Sequence, residues 1–567
     1  MIVQSDRTIL LEVDNPQYED ARDALASFAE LVKSPEHIHT YQLSALSLWN
    51  AMAAGLSAAQ VIEALARYSQ YPVPETVAQF VRDQDVRFGR LKLLKAPDGD
   101  GLWLTSDDAL ALTQVGRTKA VIPYLDEPLH PGFRIRPEYR GLLKQALAKA
   151  GWPIDDVAGY EPGAPLPMDL VDALPNGEPF RLRHYQEDAV RAFWGEGRVD
   201  RGNGVVVLPC GAGKTVVGLG AMLMAQTHTL ILTTSTAALH QWQREILEKT
   251  TLSPDHVGEY SAAVKDIRPV TVTTYQMLTH RQNEQFPHFQ ALDAHPWGLI
   301  LYDEVHLLPA PMFRLTASLQ ARRRLGLTAT LIREDGRAED VFALIGPKRF
   351  DMPWKVLEQQ GWIATARCRE IRVKLGETQR ESYAVAEDAE RIRIAAENPS
   401  KALVVEELLH EHQSDHVLVI GQYLGQLERM AERFRAPLIT GKTPNRERER
   451  LYGAFRTGEL PVLFVSKVGN FAIDLPDANV AIQISGTFGS RQEEAQRLGR
   501  ILRPKSDGSM ATFYSVVSED TKEQEFAQKR QLFLCEQGYR YEIAHASADG
   551  TPEERMAPVI PFRLGQP

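Results

Sequence analysis

From residue 181 onward the chain repeats one pattern: a short unbroken apolar run, then a longer stretch with apolar residues at every third or fourth position. Unbroken runs bounded by turn residues read as strands covered on both faces, and the stretches between them as amphipathic helices. Such alternation builds parallel sheets with helices on both sides. Strands are predicted at 204–208, 229–234, 270–274, 298–303 and 324–328, then at 369–374, 416–421, 437–440, 461–465, 480–484 and 511–515. The fold class is α/β, with two tandem doubly wound parallel sheets.

Before residue 181 the pattern changes. Residues 8–15 read as a strand, and 18–33 and 57–69 as amphipathic helices. Residues 89–95 and 102–106 alternate apolar with polar positions and pair around the turn Pro97-Asp98-Gly99. This predicts a smaller α+β N-terminal domain over 1–125. Residues 126–178 carry prolines 128, 131, 137, 153, 162, 165, 167 and 175 around one predicted helix, 138–150. They read as a small irregular module or linker. The two sheets then occupy 179–352 and 353–545, with a tail over 546–567.

Composition narrows the class. A chain of 567 residues is too long for one core, so several domains are required. No apolar stretch approaches the ~20 residues that span a bilayer. The opening Met-Ile-Val-Gln-Ser-Asp-Arg lacks a basic segment followed by an apolar one, so no signal peptide is expected. Cys210, Cys368 and Cys535 are too few and too far apart for a disulfide framework or a zinc site. A cytoplasmic protein with no membrane partner is expected. The net charge of −10 is unusual for a nucleic-acid binder. Residues 1–180, however, hold 25 acidic and 16 basic side chains, leaving the other 387 near neutral with 49 against 48.

Three motifs carry chemistry. Gly204-Val-Val-Val runs into Leu208-Pro-Cys-Gly-Ala-Gly-Lys-Thr215, a strand entering a phosphate-binding turn. Pro209, Cys210, Gly211, Ala212 and Gly213 form the nucleotide-binding turn, whose backbone N–H groups from Cys210 onward close around phosphate; Lys214 adds a charge for the β/γ-phosphates, and Thr215 a hydroxyl for Mg²⁺. Leu208 stands where the full pattern has its first glycine. Next, the apolar run from Trp297 ends in Asp303-Glu304-Val305-His306. A carboxylate at the tip of a strand beside the phosphate-loop strand suits Mg²⁺, assigned to Asp303. Glu304 is placed to accept a proton from the attacking water. Finally, Gln496-Arg-Leu-Gly-Arg500-Ile-Leu-Arg503 puts Arg500 and Arg503 on one helix face, as arginine fingers delivered by a second domain would be.

With these motifs the chain resembles the superfamily 2 helicases, and specifically the XPB (xeroderma pigmentosum group B) type, over nearly its whole length. The resemblance implies two RecA-like motor domains, ATP and Mg²⁺ as cofactors, and DNA as partner. Arg183-His-Tyr-Gln186 is similar to the family's adenine-reading segment. Leu230-Ile-Leu-Thr-Thr234 and Thr273-Thr274-Tyr275 resemble strand-tip segments that touch the nucleic-acid backbone. Gly326-Leu-Thr328-Ala-Thr330 resembles the element coupling ATP to strand movement, and Arg333-Glu334-Asp335 the R-E-D element of XPB. Val465-Ser-Lys467-Val-Gly-Asn470 and the segment from Gly489 through Gln496 to Arg500 also resemble XPB, and His306 would serve interdomain hydrogen bonding. Residues 126–178 would be a reduced damage-recognition module, and the helical stretch 383–398 is the candidate for a thumb. A stand-alone prokaryotic XPB is implied, with 3′→5′ polarity, a role in DNA repair and a monomeric state.

Other features have plainer readings. Trp242 can stack on a base or pack an amphipathic helix, and the second is favoured. His37 and His39 read as a structural pair, and the Arg446–Arg450 run as a solvated face. Three functions share the motor: an unwinding helicase, a double-strand translocase serving a restriction or remodelling assembly with nuclease partners, and a DNA-binding ATPase switch.

Overall fold

The computed structural model describes residues 1–34, 37–158, 162–198, 201–209, 211–282, 285–308, 312, 319, 321–329, 338–362, 366–466, 478–486, 510–536, 541–546 and 552–553. The chain divides into two compact units, Met1–Trp354 and Lys355–Pro567.

The first unit opens with an antiparallel sheet of β1 (Ile2–Val3), β2 (Thr8–Glu12), β3 (Glu30–Lys33) and β4 (Ile38–Gln42), in the order β1-β2-β4-β3. The helix expected over 18–33 stops at Ala26 and the chain turns into β3. Ser27 Oγ donates back to the Ala24 carbonyl at 2.7 Å, and buried Phe28 plugs the turn. Ser44 and Ser57 each start a helix with a reciprocal capping box.

A second four-stranded sheet follows, in the order β7-β6-β5-β8, from β5 (Leu91–Lys95), β6 (Leu102–Ser106), β7 (Phe133–Ile135) and β8 (Ile154–Asp156). The expected hairpin is present, with Leu93 opposite Leu104. The sheet continues past the boundary expected at 125. Ile135, Leu143 and Leu147 complete one core with Leu91 and Leu104, while many of the prolines read as linker punctuation fall in the connections.

The first parallel sheet comprises β9 (Asn203–Val207), β10 (Thr229–Thr233), β11 (Val257–Tyr260), β12 (Val270–Thr274), β13 (Leu299–Asp303), β14 (Arg323–Thr328) and β15 (Lys348–Asp351). Its order is β11-β12-β10-β13-β14-β9-β15. The carboxylate strand β13 is therefore not beside the phosphate-loop strand β9, as its motif suggested. Strand β14 lies between them, with Asp303 level with Leu327 and Thr328 level with Val207. Gly326 keeps that middle strand narrow: a Cβ there would lie 3.1 Å from Val305 and 3.2 Å from Val205.

Both N-terminal modules pack on one margin of this sheet. Asn50 Oδ1 accepts the Lys348 N–H of edge strand β15 at 2.8 Å, and Trp49 meets Phe342 at 5.7 Å between ring centroids. Gln145 donates to buried Asp340 at 3.1 Å.

The second unit carries β16 (Ala366–Val373), β17 (Val417–Gly421), β18 (Leu438–Ile439), β19 (Val462–Ser466), β20 (Val480–Gln483), β21 (Ala511–Ser518), β22 (Tyr541–Ala546) and β23 (Pro552–Glu553). The order is β18-β19-β17-β20-β21-β16-β22-β23, parallel except for the last pair. β23 thus draws part of the expected tail into the sheet. Residues 383–398 fall mainly in two helices, Glu377–Val385 and Asp388–Ala396, joined by a short turn.

A candidate nucleotide site at the tips of the first parallel sheet

The phosphate loop leaves β9 at Leu208, whose N–H is held by the Thr328 carbonyl at 2.9 Å. Gly211 and Gly213 have φ of +82° and +79°, the left-handed region where glycine avoids a side-chain clash. At Gly213 the space is taken too, since a Cβ would sit 2.5 Å from Gln186 Nε2. Gln186 is buried and donates to the Ala212 carbonyl at 2.9 Å, and Tyr185 Oη donates to the same oxygen at 2.8 Å. Gln186 Oε1 in turn accepts the Arg183 N–H at 2.9 Å, and Arg183 Nη1 donates to Tyr185 Oη at 3.2 Å. The helix His184–Trp194 is thereby stapled to the loop. Helix Lys214–Ala225 starts where the loop ends, so its free N–H groups and Thr215 face any anion bound there.

Across β14, Glu304 adopts φ +47° and ψ +54°, a strained conformation for a residue with a side chain. It turns a carboxylate back onto Lys214, with Nζ 2.5 Å from Oε1. His306 Nδ1 lies 3.5 Å from the other oxygen, Oε2, and 2.6 Å from Thr328 Oγ1. One continuous path of side chains thus joins the phosphate loop, the carboxylate box and β14. Asp303 is gripped twice: Trp242 Nε1 donates to its Oδ2 at 3.0 Å, and Tyr275 Oη to its main-chain carbonyl at 2.8 Å.

The electrostatics of the two carboxylates diverge. Burial pushes Asp303 up to about 6, and the adjacent Glu304 adds to the rise against opposition from Lys214 and Trp242. Burial pushes Glu304 up as well, but Lys214, His306 and a main-chain donor at Ala329 outweigh it and hold the group down. Two adjacent, largely buried carboxylates therefore share Lys214. Glu304 Oε2 has no hydrogen-bond partner among the described residues. Such a donor set fits a divalent cation and a water molecule, with Thr215 and Asp303 able to hold the cation.

Residues 357–557 match the family model "ERCC3/RAD25/XPB C-terminal helicase", 1–128 match "Helicase conserved C-terminal domain", and 179–333 match "Type III restriction enzyme, res subunit". The chain is 54% identical over 547 residues to the protein named DNA 3'-5' helicase XPB of Kineococcus radiotolerans, covering 96% of each. The chain belongs to the XPB helicase family. The Mycobacterium tuberculosis protein of the same name is 52% identical, with 96% of this chain and 98% of the relative covered. The Encephalitozoon cuniculi relative, named a general transcription and DNA repair factor IIH helicase/translocase subunit XPB, is 35% identical over 95% of this chain and 82% of its own.

Against the XPB pattern, the structure brings Arg183, Gln186, Pro209, Gly211, Ala212, Gly213, Lys214, Thr215, Asp303, Glu304, His306 and Thr328 to one edge of one sheet. Cys210, Thr330, Arg333, Glu334, Asp335, Lys467, Asn470, Gln496, Arg500 and Arg503 lie outside the described residues. Thr234 is half-buried at the end of β10. Tyr275 departs from its expected place on the nucleic acid: it is 3% exposed and its hydroxyl is committed to Asp303. Thr274 is also buried, and its side chain accepts the Met277 N–H at the start of a helical turn. His39 is buried against Tyr18 Oη at 3.0 Å, while His37 is exposed, so they do not act as a pair.

Sequence reasoning missed two residues. Tyr185 carried no recognised role. Trp242 was weighed as core or as base platform, and neither reading foresaw its bond to Asp303. The signal was available: a tryptophan on a buried helical stripe must find an acceptor for its N–H.

Proposed function

We propose that this XPB-family protein is an ATP-dependent DNA helicase of 3′→5′ polarity acting in DNA repair. The observation that carries the reading is the path Lys214–Glu304–His306–Thr328, which links a phosphate loop to a proton acceptor and to the strand next to both. Lys214 binds the β/γ-phosphates, and in doing so releases Glu304 from its ion pair. The freed carboxylate, with His306 beside its other oxygen, accepts the proton of the attacking water. Mg²⁺ at Thr215 and Asp303 would neutralise charge on the phosphate oxygens. The Glu304–His306–Thr328 contacts give the state of the nucleotide a route into β14 and the segment after it. Gln496, Arg500 and Arg503 are assigned to the transferring phosphate, and Thr330, Arg333, Glu334, Asp335, Lys467 and Asn470 to coupling with DNA, on the helicase resemblance. Three widely spaced cysteines in 567 residues support a reducing, cytoplasmic setting.

A translocase reading has its own support in the restriction-subunit match over 179–333. ATPase rates with single-stranded, double-stranded and forked DNA, together with strand displacement on 3′- and 5′-tailed duplexes, decide between them. Unwinding of the 3′-tailed substrate is expected. ATP-driven triplex displacement with no strand separation would favour translocation instead.

A further inference from the structure

Helix Thr236–Lys249 buries Leu239, Trp242 and Ile246, a stripe at spacings of three and four. Of these, Trp242 brings a polar group inside. A buried N–H is costly to leave without an acceptor, so the indole must be placed against one. It reaches Asp303 Oδ2 at 3.0 Å, 61 residues along the chain.

The fold makes room for this ring at some cost. Gly218 lies one turn into the helix that begins at Lys214. A Cβ on it would stand 2.4 Å from Trp242 Cη2 and 3.4 Å from Leu327 Cδ1. Glycine in mid-helix is less favourable than alanine. The indole therefore occupies a junction of three elements: the nucleotide helix, β14, and the tip of β13. A leucine could fill much of that volume, but it would bring no donor to the carboxylate.

We propose that Trp242 is a positioning residue for Asp303. Its N–H fixes the carboxylate that would hold Mg²⁺ with the nucleotide, and its helix ties that carboxylate to the strand tip at 234–235. The proposal rests on the nucleotide reading above. Ser235 caps the helix by accepting the Ala238 N–H at 3.2 Å, so helix and strand tip are one piece. Tyr275, just past the tip of β12, holds the main chain of the same aspartate at 2.8 Å. One grip on Asp303 thus comes from the helix that follows the 230–234 strand tip, and the other from Tyr275 in the 273–275 segment; both strand-tip segments resemble the family's nucleic-acid-touching ones. A shift in either segment reaches the metal ligand through one hydrogen bond.

The test is binding of a fluorescent ADP analogue to the full chain, in EDTA and across a Mg²⁺ titration. It compares wild type, Trp242→Phe, Asp303→Asn and the double variant. Phenylalanine keeps an aromatic ring and removes the donor. Losing an outer-shell partner of a metal ligand typically costs about 10–100-fold in metal affinity. The half-point of the Mg²⁺ effect is expected to rise by about that factor in Trp242→Phe, with affinity in EDTA unchanged. Trp242→Phe added to Asp303→Asn should shift the Mg²⁺ half-point no further, because the charged metal ligand through which Trp242 acts is already gone. Should the phenylalanine variant not fold, benzothienylalanine at 242 keeps the two-ring shape, replaces N–H by sulfur, and carries the same expectation. Weakening that is equal with and without Mg²⁺, or additive with Asp303→Asn, would overturn the positioning role. A wild-type chain whose nucleotide binding ignores Mg²⁺ would overturn the nucleotide reading as well.

Discussion

Among the described residues, each unit holds a largely buried Lys–Glu pair near the C-terminal ends of its parallel strands, and these two pairs are built differently. In the second unit Lys401 is completely buried, and its Nζ meets both oxygens of Glu523 and the Ile484 carbonyl, each at 2.8 Å. Glu523 also accepts the Ser518 N–H at 2.9 Å. Three protons on the lysine have three acceptors, so the ions are held by geometry that has nothing left to offer a ligand. In the first unit Lys214 and Glu304 keep 12% and 19% of their side chains exposed. The glutamate stands on strained backbone, and its Oε2 has no hydrogen-bond partner among the described residues. A saturated pair joins elements of a fold. A partly exposed pair on a strained turn is poised for exchange of partners, as catalysis requires.

The largest effect expected from this contrast is on turnover. Glu304→Gln should lower DNA-stimulated ATP hydrolysis by ~10²–10⁴-fold, the usual cost of a lost positioned proton acceptor, with nucleotide still bound. Lys214→Ala should abolish turnover by removing the charge opposite the phosphates. Thermal unfolding of Glu304→Gln should stay close to wild type. An ATPase rate near normal for Glu304→Gln would end its assignment as the base, and a large loss of stability would make the two pairs alike.

Breaking the saturated pair should act the other way. Lys401→Met leaves Glu523 buried without its counter-ion, a defect that typically costs about 3–5 kcal/mol. Replacing both residues by methionine should recover most of that loss, because the desolvation penalty disappears with the charges. Urea unfolding followed by a second-unit probe reads both variants. A Lys401→Met chain as stable as wild type would show that the pair carries no structural weight.

A third buried cluster sharpens the comparison through pH. Arg140 and Lys144 pair with Asp156, the lysine at 3.1 Å, and Arg324 of β14 adds its field. Burial pushes Asp156 up, but Lys144 and Arg140 outweigh it and hold the carboxyl far below its ordinary value of 3.8. Its contribution to stability is therefore complete above about pH 4 and lost as pH falls toward the folded value. Burial lowers Lys144 to about 8 from 10.5, with Asp156 opposing and Arg324 and Arg140 assisting. Between those values the unfolded chain binds more protons, so stability from this lysine should rise with pH from about 8 to about 10.5. Asp156→Asn should flatten the acid limb of a stability–pH curve, and Lys144→Met the alkaline rise. An unchanged acid limb in Asp156→Asn would place the cluster's charge in water.

Much of this was legible in the sequence for a simple reason. Central parallel strands are buried on both faces, so β9, β10 and β13 appear as unbroken apolar runs. Strands at or next to a sheet's edge lack that signature. β15 reads Lys-Arg-Phe-Asp and β22 Tyr-Glu-Ile-Ala-His-Ala, patterns that a loop can also carry, and both were missed. The loop and carboxylate box could be assigned because their chemistry is local in sequence. Strand order is not local, so the position of β14 between β13 and β9 could not be read from spacing. Nor could the bond from Trp242 to Asp303, which depends on where a helix crosses a sheet.

The smallest effect expected sets two opposing contributions against each other at Gly218. Alanine in place of a mid-helix glycine gains about 1 kcal/mol in helix propensity. The added methyl would stand 2.4 Å from Trp242 Cη2, closer than carbon atoms pack, so the ring must move. Overpacking a filled site costs about 1–3 kcal/mol. Trp242 is 2% exposed and tethered to Asp303, which leaves it little freedom to yield. A net loss of about 1 kcal/mol is expected for Gly218→Ala, the overpacking cost less the propensity gain. The same variant should also shift the Mg²⁺ requirement of nucleotide binding, because the displaced indole carries its N–H away from the carboxylate. A net gain in stability with unchanged Mg²⁺ dependence would mean that the ring relaxes freely and that its contact with the first unit's catalytic carboxylates is incidental.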